Sequence, residues 1–429
     1  MRRRLRVGML AVLAVAAAFF IMGCSGDGGG GQGGGGEGST ATIVSDLPLQ
    51  GSSRPQNETL VNAIALALEE RDYMAGDVTI EYTSQDNATA QAGQWAEARC
   101  AENAQSAAQD ESIIGWIGPF NSGCAAVQIP ILNEAGLAMV SPANTYIGLT
   151  KLSGEPGEPE RFYPTGERNY TRVIVTDDKQ GRAGAVWMRD LGVQNVYILD
   201  DQETYGAGLA DQFEASAGDL GINVLGRQGI DGDAANYRAL MTQIAQTNPD
   251  AVYFSGITQN NAGQLVSDKV GARMANESVI FMGADGIVED AFIEASGDAG
   301  EGIYATFGGL PVSELGQAGQ DFVSNYEERF GGGVEAYTVY GYEAANVLLD
   351  AIERAYNAND EVTREGVVRE LFASSNYSGV LGTWSFDQDG DTTLTELSGQ
   401  RLQGGEFGFD RVIDVEEANS GSQFAGSPV

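Results

Sequence analysis

A chain of 429 residues with 60 acidic and 24 basic side chains carries a formal net charge of −36, which excludes a nucleic-acid binder because a phosphate backbone would be repelled. An apolar content of 42% is ordinary for a globular protein and indicates neither a disordered chain nor a polytopic membrane protein, and the length leaves room for two domains with their own cores. Histidine is absent, which removes Ser-His-Asp and Cys-His triads, histidine bases and His-containing zinc sites together.

Arg2, Arg3, Arg4 and Arg6 precede an apolar run over residues 7–21, the pattern of a signal peptide rather than a spanning helix. The run ends at Ile21-Met-Gly-Cys24, which resembles the bacterial lipobox and makes Cys24 the expected lipidated N-terminus after loss of residues 1–23. Residues 24–40 are glycine-rich and read as a flexible tether holding a folded body off the membrane.

From residue 41 strands and helices alternate. A strand over 41–48 ends in Leu47-Pro-Leu-Gln-Gly51, and Leu60, Ile64 and Leu68 share one face of the next helix. A strand follows at 78–82 and a helix over 88–108. Residues 112–117 read as a buried parallel strand, after which Ser122 is expected to cap a helix running to Ala135. Such a helix start leaves the N–H groups of Gly123, Cys124 and Ala125 free at the positive end of the helix dipole, an arrangement that suits a carboxylate or other anion. The stretch Met139-Val-Ser-Pro-Ala-Asn-Thr145 repeats strand then polar loop, so two neighbouring strand ends offer hydroxyls and amides to one crevice. A helix cap at Ser122 and a turn at Thr145 would satisfy the same spacing without any ligand.

A polar loop over 148–165 breaks the rhythm. A second series begins with an expected strand at 172–176 and continues with strands at 195–199, 222–225, 251–254, 279–282 and 302–307, separated by helix-length segments. Alternation of this kind implies doubly wound parallel sheets, and two series imply two similar lobes. Helices follow over 317–330 and 339–356, then short β pieces around 380–386 and 397–402. Cys100 lies in the helix before the strand leading to Cys124, so a bridge between them is favoured over two free thiols in an exported protein. Asp387-Gln-Asp-Gly-Asp391 lacks the closing glutamate of a calcium loop and reads as a polar turn, and no metal or cofactor is expected.

Five stretches, Leu47-Pro-Leu-Gln-Gly51, Ile117-Gly-Pro-Phe-Asn-Ser-Gly123, Met139 to Thr145, Thr204-Tyr-Gly-Ala-Gly-Leu-Ala210 and Phe281-Met-Gly-Ala-Asp-Gly286, stand in the order and spacing of leucine/isoleucine/valine-type solute-binding proteins. The chain resembles this family, the receptors of branched-chain amino-acid ABC importers, from about residue 41 to 410. The resemblance implies an α/β type I periplasmic-binding fold, a two-lobed clamp with three hinge crossings near Val175, Thr306 and Thr383. One lobe would comprise 41–174 and 307–383, the other 175–306 and a return with tail over 384–429. It further implies a monomeric, non-enzymatic receptor, lipid-anchored outside the cytoplasm, that passes a small molecule to ABC permease subunits. The ligand's α-carboxylate would meet Ser122, Ala143 and Thr145, its ammonium Asp285 with Tyr205 nearby, and its side chain Phe120 and Tyr337. Ile257-Thr258-Gln259 and Arg54-Pro-Gln56 depart from aromatics common in the family, which makes an α-amino acid a better-supported ligand than leucine. An amide, urea or aromatic acid on the same fold, a ligand sensor for a membrane partner, and an exported carboxylate enzyme are the alternatives.

Overall fold

A computed structural model describes residues 39–415. The leader, Cys24 and most of the tether lie outside these residues. The first body is built from β1 (Thr40–Leu47), α1 (Arg54–Glu69), β2 (Met74–Ala75), β3 (Val78–Asp86), α2 (Glu97–Gln109), β4 (Ile113–Ile117), α3 (Ser122–Glu134), β5 (Ala138–Ser141) and β6 (Tyr170–Arg172). Its six strands lie in the order β2-β3-β1-β4-β5-β6 and pair in parallel except at the β2–β3 edge. Leu60, Ile64 and Leu68 of α1 are buried, as their shared face requires.

The second body begins with α4 (Asp177–Asp190) and β7 (Asn195–Asp200) and continues through α5 (Thr204–Asp219), β8 (Asn223–Gly229), α6 (Arg238–Gln246), β9 (Ala251–Ser255), α7 (Ala262–Gly271), β10 (Ile280–Gly283), α8 (Asp290–Ser296) and β11 (Tyr304–Phe307). The chain then returns to the first body with α9 (Gln317–Phe330), α10 (Thr338–Asn359), α11 (Arg364–Phe372) and the hairpin β12 (Tyr377–Gly379) and β13 (Gly382–Trp384). Helix α10 packs on α1 and the first sheet, and α11 on β4 and β5. Finally β14 (Ser398–Gln403) and β15 (Glu406–Val412) complete a second sheet ordered β15-β14-β11-β10-β9-β7-β8, with β14 and β15 antiparallel on an otherwise parallel sheet. This is the type I periplasmic-binding architecture.

Three details differ from the sequence reading. The helix expected over 88–108 starts only at Glu97, because Gly93 adopts a positive φ of 66° in a preceding turn that carries Gln94 and Trp95. The strand expected at 172–176 lies at Tyr170–Arg172 and closes the first sheet, while 173–176 crosses between bodies. Thr306 and Thr383 sit inside β11 and β13, so the second and third passages follow them rather than running through them.

Arg172 and Asp391 join the first and third passages. Arg172 is fully buried, its Nε donates to Asp391 Oδ1 at 2.6 Å, and Lys151 Nζ reaches Asp391 Oδ2 at 2.9 Å. The Asp387–Asp391 stretch is a turn, with the Asp387 N–H donating to Asp391 O at 2.8 Å. Among the described residues there is no carboxylate, cysteine or histidine cluster able to hold a metal ion, and no helix long and apolar enough to cross a membrane.

Candidate functional site

Strands of a parallel sheet deliver their carboxyl ends to one edge, and here both sheets deliver theirs to the gap between the bodies. Phe120 and Ser122 follow β4, Ala143 and Thr145 follow β5, Tyr205 opens α5 after β7, Ile257 follows β9, and Asp285 and Gly286 follow β10. Together with Asn121 and Tyr337, the residue before α10, they line one cavity of about 30 Å³. All seven residues assigned to the ligand by resemblance are therefore brought together. Asn121, Ile257 and Gly286 join them.

The first-body rim is held by side chains that act on backbone. Ser141 Oγ donates to Pro119 O at 2.9 Å and accepts the Asn144 N–H at 2.9 Å, while Asn144 Nδ2 donates to Phe120 O at 2.8 Å. The two loops are thus pinned to each other. Arg172 lies beneath them, its Nη1 donating to Tyr146 O at 2.7 Å and to Asn144 O at 3.3 Å. Gly118, with φ of 124°, lets the chain pass Asp46, whose carbonyl oxygen would lie 2.6 Å from an added Cβ.

The helix start is shifted by one residue from expectation. Asn121 is the extended N-cap residue and Ser122 the first helical one, so the Ala125 N–H is already paired, donating to Asn121 O at 3.1 Å. The N–H groups left without an intrahelical partner are those of Ser122, Gly123 and Cys124. Ser122 Oγ does not cap its own helix; it accepts the Tyr146 N–H at 3.4 Å, across to the second loop. Cys100 and Cys124 are joined by a disulfide, with Cα atoms 5.6 Å apart, which ties α2 to the first turn of α3.

The second body supplies the opposite charge. Asp285 is 5% exposed. Its Oδ1 accepts from Gln180 Nε2 and from the Tyr205 hydroxyl, both at 2.6 Å, and its Oδ2 accepts from the Tyr337 hydroxyl. Burial pushes the Asp285 carboxyl up from its ordinary range, and the two phenols and Gln180 hold it back. Burial, and then the Asp285 charge, push Tyr205 and Tyr337 well above the usual phenol range. Both phenols are therefore neutral donors at physiological pH. Tyr337 also contacts Phe120 and Phe307 edge-on, each with ring centroids 5.0 Å apart, so it joins the apolar side of the cavity to its carboxylate.

The bodies meet around this cavity. Gln94 Nε2 donates to Asn260 Oδ1 at 2.8 Å and Gln56 Nε2 to Val288 O at 3.4 Å. The Asp290 N–H donates to Glu335 Oε2 at 3.4 Å. At Gly208 in α5 the Tyr146 ring of the first body comes so near that an added Cβ would sit 2.4 Å from it; within the first body, an added Cβ at Gly123 would sit 2.6 Å from the Trp95 indole, which packs on the α3 tip. Two contributors escaped the sequence reading. Gln180 lies a full turn inside α4, and Trp95 lies in a stretch read as helix; the Gly93 before it was the available signal.

The arrangement offers a hydroxyl- and amide-lined helix tip on one body and a carboxylate on the other, with phenyl, phenol and isoleucine surfaces between them. The family model for periplasmic binding proteins matches residues 42–406. The chain belongs to the periplasmic binding protein family. Members of this family bind small molecules and catalyse nothing. "Leu/Ile/Val-binding protein homolog 2" of Brucella abortus is 30% identical over 282 residues, 65% of this chain and 69% of that protein. An "Amino acid binding protein" of Pseudomonas aeruginosa is 29% identical over 292 residues, 67% of this chain and 71% of that one. Among solved structures, a leucine binding protein LivK from Thermotoga maritima is 26% identical with a TM-score of 0.75, covering 88% of this chain and 99% of that one. A solute binding protein from R. palustris in complex with benzoate shares the fold at 18% identity and a TM-score of 0.73, covering 87% of this chain and 96% of that one.

Proposed function

We propose that this binding protein is the extracytoplasmic receptor of an ABC importer, anchored through lipid on Cys24, that closes its two lobes on a branched-chain or related α-amino acid. The α-carboxylate meets the free N–H groups at the tip of α3 with Ser122, Ala143 and Thr145. The ammonium meets Asp285 and the side chain lies against Phe120, Ile257 and Tyr337. The closed form is what the permease recognises, because ligand contacts to both lobes lower its free energy relative to the open form.

The observation that carries this reading is the Asp285 carboxylate buried in the cavity opposite the α3 tip, with neutral phenols and no basic side chain among the lining residues. A zwitterion supplies both charges that this geometry lacks. The relative that holds benzoate, and the aromatic lining here, favour an aromatic acid as the second reading. A lone carboxylate anion, however, leaves the Asp285 charge unanswered in a dry site.

Calorimetric titration of the purified chain with L-leucine, L-isoleucine, L-valine and benzoate tests the two readings. Saturable binding of an amino acid with benzoate inert supports the first. Benzoate binding with the amino acids inert overturns it.

A further inference from the structure

The first turn of α4 stands directly behind the ammonium half of the site. Gln180 on this helix donates to Asp285 at 2.6 Å, and Asp177, three residues earlier, lies on the same helical face. Asp177 is 0% exposed. Its backbone N–H donates to Thr145 O at 2.9 Å, which ties it to a residue lining the cavity. Neither of its carboxylate oxygens meets a donor in hydrogen-bond geometry, and the Gln180 Oε1 is equally without one. The site thus contains a second carboxylate that its binding role as described above does not use.

Two buried carboxyls in one site do not both ionise without a cation to answer them. Burial, then the Asp285 charge, push the Asp177 carboxyl well above its usual range; the nearby Thr145 hydroxyl and Arg172 pull the other way, and Asp178 on its own helix adds to the rise. Arg172 is already engaged by Asp391 at 2.6 Å, so it is not a free counter-charge. The other titratable groups that feel Asp177 are Tyr205, Tyr253 and Tyr337, three buried phenols that burial keeps neutral.

We propose that Asp177 is a specificity-determining residue: with Asp285 it forms one carboxyl pair that keeps a proton until a ligand's ammonium arrives and then releases it to solvent, admitting ammonium ligands and refusing anions. The inference rests on the amino-acid reading given above. The ligand's ammonium replaces the proton's charge, so the net charge of the carboxyl-pair half of the site is unchanged by the exchange, while the ligand's own carboxylate is answered separately at the α3 tip. Affinity for an ammonium ligand accordingly rises with pH across the titration of the pair. Affinity for a carboxylate-only ligand falls.

Calorimetry of L-leucine binding to the full chain, at pH 6 and pH 8 in two buffers of different protonation enthalpy, reads the released proton directly. Glu289 and Glu335, two carboxyls raised by burial where the bodies meet, take up protons on closure in wild type and Asp177→Asn alike, so the difference is the reading. The wild type is expected to release up to about one proton per leucine more than Asp177→Asn, which makes its affinity rise relative to the variant's by up to about tenfold per pH unit. Asp177→Asn is expected to bind leucine without that release and with a flatter pH profile. Melting of ligand-free Asp177→Asn at pH 8 and pH 4 gives an independent reading, with stabilisation over wild type at pH 8 that fades at pH 4. Equal net proton exchange by the wild type and Asp177→Asn on binding leucine overturns the inference. Benzoate binding by the wild type with leucine, isoleucine and valine all inert overturns instead the amino-acid reading on which it rests.

Discussion

Replacing Asp285 by Asn keeps the shape of the cavity and removes its charge. In the wild type the carboxylate accepts Gln180 and Tyr205 at 2.6 Å on Oδ1 and Tyr337 on Oδ2. Asparagine keeps one carbonyl oxygen for the first pair and presents an NH2 to the Tyr337 oxygen, which turns from donor to acceptor. The ligand's ammonium then loses a charge-assisted hydrogen bond worth about 1.5–3 kcal/mol, which weakens binding by roughly 10- to 150-fold. Stability runs the other way. The native carboxyl is raised by burial, so its ionisation costs the fold free energy as pH rises above the ordinary carboxylate range, a cost that is absent near pH 4. Asp285→Asn should therefore melt no lower than wild type at pH 7. Calorimetry gives the affinity and scanning calorimetry the melting temperature. An unchanged Kd, or a loss of affinity matched by a loss of stability, would refute the assignment of Asp285 to the ligand.

Gly208→Val places side-chain atoms where Tyr146 packs from the other lobe. Closure should be blocked and ligand affinity lost, with the ligand-free melting temperature within a few degrees of wild type; ligand-induced compaction in small-angle scattering is the check. Glu289 and Glu335 face each other across the seam, and burial pushes both carboxyls up to about 7. Raised carboxyls favour the shut form below the ordinary carboxylate range, and that advantage is lost as pH rises through about 7. Ligand-free wild type should thus lose melting temperature between pH 5 and pH 8 more steeply than Glu335→Gln, and equal slopes would count against the seam. A net charge of −36 is self-repelling in dilute buffer, so molar salt should raise the melting temperature; a flat response would show that this self-repulsion does not limit the fold's stability.

The alternating pattern made most of the fold legible, since parallel strands buried on both faces, such as Ile113–Ile117 and Ala251–Ser255, are continuous apolar runs bounded by polar loops. Helix α9 was readable to the residue because Gly316 and Gly331 bound it. Boundaries failed where tertiary contacts override local preference. Tyr170–Arg172 joins the first sheet because it pairs with β5, although the apolar residues that advertise a strand are Val173, Ile174 and Val175. The site was legible where a strand end and a helix start are adjacent in sequence, as at Phe120 and Ser122. Tyr337 reads as an ordinary aromatic before a helix, and only the return of α10 to the first body brings its hydroxyl to Asp285. Gln180 and Asp177 gave no signal, because a polar first turn is common at any helix start.

A crystal structure of the chain grown with L-leucine tests the central claim most directly. The account predicts the amino acid between the lobes, its nitrogen within hydrogen-bond distance of Asp285 and its carboxylate at the α3 tip beside Ser122 and Thr145. Leucine bound elsewhere, or lying in the cavity with its carboxylate toward Asp285, would contradict it.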